Sequence, residues 1–480
     1  MAIKTKIVFC GTHPYQYNGY SKIVYELCKG IVEYEDIELY IFGFQNFHKN
    51  EVHMKERTIV KVKELFDVHA REKELDLKGT KGFGESFIVE YLNKVDPDIV
   101  IVYNDLVIVT SMLNKIKKEI PNHRFKIVPY LDLVYKNEKN NMIKYISDNV
   151  DGCIMFTEHW KKMVLEQGFA KECKVIEHGF NPNLTYPIQK NIARKFYNIN
   201  EKDFVILNLN RNQPRKRWDI CIMAFVKFIS KRLDKPIKLV IATALNGGWD
   251  LIDVMKSECR KNKISLEDLK SHLVIIQNPQ QVSDREINVL YNTANIGLNT
   301  CDGEGFGLCN FEQAGLGIPQ IVPKLGGFID FLNTSSSVMV TPKWTYYCDH
   351  SRDFVSGEAE VCEVDDFVKA MEFYYENEKT RESHGDKSRK NILKNYKWTD
   401  LSKKLYETVI YFTKDIVKIR EENEANIETS ILLKDTCDID ISTLIKEHLS
   451  ISENIVTVKN SGEIEKQTED EDVFIIEGGC

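Results

Sequence analysis

The chain alternates short apolar runs with longer stretches in which apolar residues recur every three or four positions. Lys6–Gly11 (KIVFCG) predicts a buried strand, and beyond the loop THPYQYNGY the segment SKIVYELCKGIVEY has the helical period. IELYIFGF predicts a second strand. GTKGFGES leads into a helix that stops before DPDIVIVYND, where Asp-Pro breaks the chain and a third strand begins. SMLNKIKKEI, FKIVPYLD, DGCIMFTEHWKKMVLEQG and CKVIEHGF continue the alternation. Such a pattern predicts an α/β domain over residues 1–180, with a parallel, doubly wound sheet.

Residues 181–203 (NPNLTYPIQKNIARKFYNINEKD) are polar and turn-rich and read as an interdomain linker. A second alternation then runs through FVILNLNRNQ, WDICIMAFVKFISKRL, IKLVIAT, LIDVMKSECRKN, HLVIIQ, DREINVLYNTA, NIGLNT and PQIVP. It predicts a second domain of the same kind over 204–397, with residues 398–415 as a closing helix that completes the first.

Composition changes this picture at one place. The net charge of -7 is uneven: from Ile416 onward 6 Lys and Arg stand against 16 Asp and Glu, leaving the first 415 residues near +3. Residues 416–480 therefore read as an acidic, partly disordered tail in which apolar islands such as DVFIIE dock locally. A near-neutral body argues against nucleic acid as a partner. The 12 cysteines include no C-x-x-C pair, which argues against a disulfide framework or structural zinc and fits a reducing, cytoplasmic setting. No run is long enough for a signal peptide or a membrane span, and the ending EGGC is no prenylation box.

The chemistry concentrates in CDGEGFGLCNFEQAGLGIPQIV, residues 301–322, where Glu304 and Glu312 flank a glycine-rich turn after the strand NIGLNT. Gly303, Gly305 and Gly307 give G-x-G-x-G with Leu308 in the last slot, deep in the second half, so a nicotinamide-dinucleotide fingerprint is rejected. A glycine loop feeding a helix offers backbone N–H groups to an anion at a carboxyl-terminal sheet edge. Two carboxylates beside it suit hydroxyls, and phosphate with hydroxyls suggests a nucleotide sugar. LNRNQPRKRWD, residues 209–219, adds Arg211, Arg215, Lys216 and Arg217 at another strand end, placed to neutralise a diphosphate.

With these residues in view the chain resembles the glycosyl transferases group 1 family, retaining enzymes of the GT-B fold with two facing Rossmann-like domains. NRNQPRK places Lys216 five residues after Arg211, with Asn210 where the family has glycine, and EGFGLCNFE matches the family's E-x7-E. The flanking QVSDREINVLYNTANIGLNT, GLGIPQIVPKLGGFIDFL and VIEHGFN follow the family pattern, and the likeness spans residues 6–415. It implies that Arg211 and Lys216 bind and stabilise the diphosphate leaving group. Glu312 accepts from ribose hydroxyls and Glu304 faces the donor sugar, with the backbone of Gly305, Phe306, Gly307 and Leu308 beside sugar and phosphate. Gln277, Asn278 and Val282 border the base, and Gly19 in YNGYSK lets backbone approach phosphate or acceptor. Many members carry a histidine after the fourth strand, where VPYLDLVY has Leu131 and Asp132; Asp132 becomes the candidate replacement, ahead of His13 and His178.

The resemblance implies transfer with retention, no cofactor and no metal, from a UDP- or GDP-linked sugar to a hydroxyl of a glycan, glycoprotein or glycolipid. Three alternatives are weighed beside it. A metal-using GT-A enzyme has only DID, residues 438–440 in the tail; an inactive nucleotide-sugar scaffold is favoured by the missing histidine; a DNA-modifying enzyme needs a basic cleft. Cations in LNKIKKEIPNHRFK, residues 113–126, raise a peripheral membrane contact, with a solvated helix face the plainer reading.

Overall fold

The structure, a computed structural model, describes residues 4–16, 18–47, 51–77, 81–277, 282–348 and 355–436. Eight strands form the first sheet: β1 (Thr5–Thr12), β2 (Ile37–Phe44), β3 (Glu64–Asp67), β4 (Ile99–Asp105), β5 (Lys126–Ile127), β6 (Tyr130–Asp132), β7 (Gly152–Met155) and β8 (Glu172–Val175). Their order is β3-β2-β1-β4-β6-β7-β8, with β5 beside β4, and every pairing is parallel. Ile7 to Cys10 are wholly buried, which is why KIVFCG is apolar on both faces rather than alternating.

The second sheet holds β9 (Phe204–Leu209), β10 (Ile237–Ala242), β11 (Leu273–Ile276), β12 (Ile296–Leu298), β13 (Gln320–Pro323) and β14 (Val338–Val340). Its order is β11-β10-β9-β12-β13-β14, again parallel throughout. Each order reverses beside its first strand, between β1 and β4 and between β9 and β12. The loops leaving those strands therefore open a crevice at the carboxyl edge of each sheet.

Four features depart from the sequence pattern or escape it. FKIVPYLD is two strands, because Pro129 has no N–H to give the ladder. β3 (ELFD) is a half-buried edge strand with no alternation to mark it. Residues 190–196 of the expected linker form a helix, Lys190–Phe196, whose Arg194 is buried and donates to the Thr293 carbonyl (3.0 Å) and to Asn295 (2.6 Å). An antiparallel hairpin, β15 (Trp344–Cys348) and β16 (Gly357–Val361), follows the second sheet.

The closing helix starts at Trp398 and runs to Thr436, beyond the expected Asp415. Leu401, Leu405, Val409 and Phe412, at helical spacing, sit in the same core as the first sheet, and Tyr406 stacks on Tyr34 at 3.9 Å between rings. Residues up to Val417 belong to one compact unit, and the described residues 418–436 of the helix to a second. The tail expectations for 437–480, including the DID triplet, lie outside the described residues.

Candidate functional site

The loop after β9 is stiffened before it presents any charge. Asn212 donates to the carbonyls of Ala244 (2.9 Å) and Trp249 (2.8 Å), and Trp249 Nε1 donates to Pro214 (3.2 Å). Pro214–Lys216 is a single 3-10 turn, which aims Arg215 and Lys216 inward while Arg211 stays at the surface. Lys216 Nζ donates to Glu304 Oε2, and Arg215 lies 3.7 Å from Glu304 Oε1. Burial alone would raise the Glu304 pKa; the charges of Lys216 and then Arg215 outweigh it and hold the carboxyl below its usual value.

Arg211 is different. Its guanidinium makes no hydrogen bond or ion pair among the described residues, yet Arg215, Tyr20, Asp132 and Glu304 all act on it. Confinement and then the neighbouring Arg215 lower its pKa, the opposite of what an acid partner would do. A solvent-reachable guanidinium kept beside other cations is a site prepared for an anion.

The glycine-rich loop joins β12 to the helix Leu308–Gly315. Gly307 caps that helix at φ 85, and a side chain there would strike Phe328 at 2.3 Å. The amides of Gly305, Phe306 and Gly307 find no acceptor among the described residues, whereas the Phe306 ring is core, stacked near His178 and Phe311. So Phe306 and Gly305 offer backbone only. Gly303 and Gly305 are small for a reason the spacing did not reveal. A Cβ on Gly303 would lie 2.2 Å from Tyr135, and one on Gly305 2.5 Å from Asp132 Oδ1, both in the first domain.

The first domain supplies the opposite wall. Gly19 begins the helix Gly19–Ile31, capped by Asn18, and a Cβ there would meet Leu308 at 3.2 Å. Tyr20 OH donates to Asp132 Oδ2, while Oδ1 is buried without a partner among the described residues. Burial first, then the charges of Asp105 and Glu304, push Asp132 up to about 6, against the Tyr20 bond and Arg215. Trp160 Nε1 donates to the Gly305 carbonyl (2.8 Å), and Asp302 accepts from Tyr135 (3.1 Å) and Tyr346 (2.8 Å), tying the hairpin and the Asp132 loop to the start of the glycine motif.

Glu312 is buried; its oxygens accept from Lys22 (2.7 Å) and Tyr291 (2.9 Å). Gln277 is exposed past the end of β11, Val282 sits just before the helix Asp284–Tyr291, and Asn278 lies outside the described residues. The structure thus brings Arg211, Lys216, Glu304, Gly305, Phe306, Gly307, Leu308, Gly19 and Asp132 to one cleft, with Glu312 at its edge. His13 and His178 are buried, His178 behind the glycine loop against the Phe306 ring; burial pulls them down to about 4 and about 3. Sequence reading missed Tyr20, Lys22, Arg57, Asp284 and Tyr291, whose only linear signal is a cation two residues after the YNGY loop.

Residues 189–391 match the family model for glycosyl transferases group 1. No curated protein matches the sequence. Among solved structures, Anabaena HepE in complex with UDP and glucose superposes with a TM-score of 0.60 at 14% identity, covering 84% of this chain and 99% of that one. Sucrose-phosphate synthase from Thermosynechococcus elongatus gives 0.60 at 13%, covering 85% and 100%. A glycosyltransferase from Rickettsia africae gives 0.60 at 15%, covering 86% and 99%. The fold is GT-B, as the family resemblance implies.

Proposed function

We propose that this protein is a retaining glycosyltransferase that moves a sugar from a nucleoside-diphosphate sugar, UDP- or GDP-linked, to a hydroxyl of a carbohydrate, glycoprotein or glycolipid. Arg211 carries the reading: a guanidinium with no partner among the described residues, at a sheet's carboxyl edge beside Arg215, in a site where the amides of Gly305 to Gly307 likewise find no described acceptor. Such a group stabilises the charge that grows on a departing diphosphate. HepE, sharing the fold, is solved with UDP and glucose, which supports a nucleotide-sugar donor here.

In this mechanism Arg211 and Lys216 hold the diphosphate, Glu304 orients Lys216 and faces the sugar, and Glu312 takes the ribose hydroxyls. Gln277 and Val282 border the base. The acceptor oxygen bonds to the anomeric carbon on the face the diphosphate leaves. The bond to the leaving oxygen breaks with its electron pair, and that oxygen takes the acceptor's proton. Cationic side chains supply the charge that a metal supplies in other transferases. All ten described cysteines are free, which fits the reducing, cytoplasmic setting proposed, and no described helix is long and apolar enough to cross a membrane.

The test is calorimetric binding of UDP, GDP, ADP and their sugars to wild type and Glu312→Ala, with donor hydrolysis followed alongside. Selective binding lost in the variant, with turnover, supports the reading. Binding without turnover favours the inactive scaffold, which Asp132 in place of the family histidine would explain. No binding at all overturns it.

A further inference from the structure

Lys22 stands in the first turn of the helix Gly19–Ile31, where the helix dipole disfavours a cation. It is nonetheless largely covered there, its side chain 13% exposed, because two carboxylates of the second domain meet it: Glu312 Oε1 at 2.7 Å and Asp284 Oδ1 at 3.2 Å. Those charges hold its pKa above the ordinary value, although burial acts the other way. Asp284 is itself fixed by Arg57 (2.6 Å), whose other nitrogen donates to the carbonyls of Pro14 and Gln16 and to Ser21 Oγ. The result is a row of groups, Arg57–Asp284–Lys22–Glu312–Tyr291, two cations and two acids running from one domain into the other.

We propose that Lys22 is a positioning residue of the donor site: from the facing domain it holds the Glu312 carboxylate oriented for the ribose hydroxyls. Each Glu312 oxygen spends one lone pair, on Lys22 or on Tyr291, and keeps another for a vicinal diol. Without Lys22 the carboxylate is buried beside a bound diphosphate with no cation of its own, and it turns away. The ribose contact is then complete only when the two domains meet. This rests on the donor reading above, and it concerns a residue that touches the nucleotide only through Glu312.

The experiment measures binding of UDP, GDP or ADP, whichever is tightest, against its 2′,3′-dideoxy form, in wild type, Lys22→Met, Lys22→Arg and Glu312→Gln. Wild type is expected to prefer the ribonucleotide by about tenfold or more, the worth of a hydrogen bond to a charged group. Lys22→Met is expected to lose that preference while holding the dideoxy form as wild type does, and Lys22→Arg to recover it. A Lys22→Met protein that weakens both ligands equally, or neither, overturns the proposal while a Glu312→Gln loss of preference leaves the donor site standing. Failure of wild type to bind any of the three sinks the donor reading and the proposal with it.

Discussion

Asp132 Oδ1 stands across the cleft from Gly305, 2.5 Å from the point where a Cβ on that residue would lie. This contact joins the candidate acceptor wall to the donor loop, and the second glycine of the motif is small because of it. Gly305→Ala is expected to force the two walls apart, costing about 1–3 kcal/mol as overpacking does. Turnover should fall further than stability. Thermal unfolding together with donor hydrolysis separates the two; an unchanged turnover would show that the contact does not hold the cleft.

Arg211 gives the reverse pattern. Its side chain has no described partner to lose, so Arg211→Ala is expected to change stability by less than about 0.5 kcal/mol. Transfer should drop by about 10²–10³, as when one preorganised donor to a developing anion is removed. Unfolding curves and steady-state kinetics on the same preparation check both halves.

Glu304 and Lys216 are buried together, and breaking such a pair strands a charge. Glu304→Ala is expected to cost about 3–5 kcal/mol. Adding Lys216→Met should restore much of that stability and none of the activity. A double-mutant cycle by denaturant unfolding measures the coupling, and strict additivity would contradict it.

Asp132 makes a pH prediction. Its carboxyl rises from 3.8 to about 6 on folding, so between those values the native state binds more protons than the unfolded chain. The contribution of Asp132 is therefore full below pH 3.8 and is lost as pH climbs to about 6, on the order of 3 kcal/mol in all. His13 and His178, held low by burial, act in the opposite sense in wild type. The stability of Asp132→Asn minus that of wild type cancels them, and it should increase by about 2 kcal/mol from pH 4 to pH 6. Urea unfolding of both proteins across this range reads the difference directly; a flat difference would mean that Asp132 is not a buried acid.

What the sequence by itself determined is local. Strands such as KIVFCG and FVILNL are apolar throughout because parallel strands are covered on both faces, so their number and alternation are visible in one dimension. The spacing of Arg211 to Lys216 and of Glu304 to Glu312 is likewise legible, because each pair is carried by one loop or one loop and its helix. Short or covered elements were not: β3 and the hairpin β15–β16 have too few residues for a period, and the helix Lys190–Phe196 hides inside a polar segment. Only the tertiary structure decided what faces the motifs. Lys22 reaches Glu312 across 290 positions, and Tyr20 reaches Asp132 across 112. No spacing rule encodes a partner that only the folding of distant segments brings up. The glycines make the same point: their pattern shows where side chains are forbidden, and the fold alone shows that Tyr135, Asp132 and Phe328 are what forbids them.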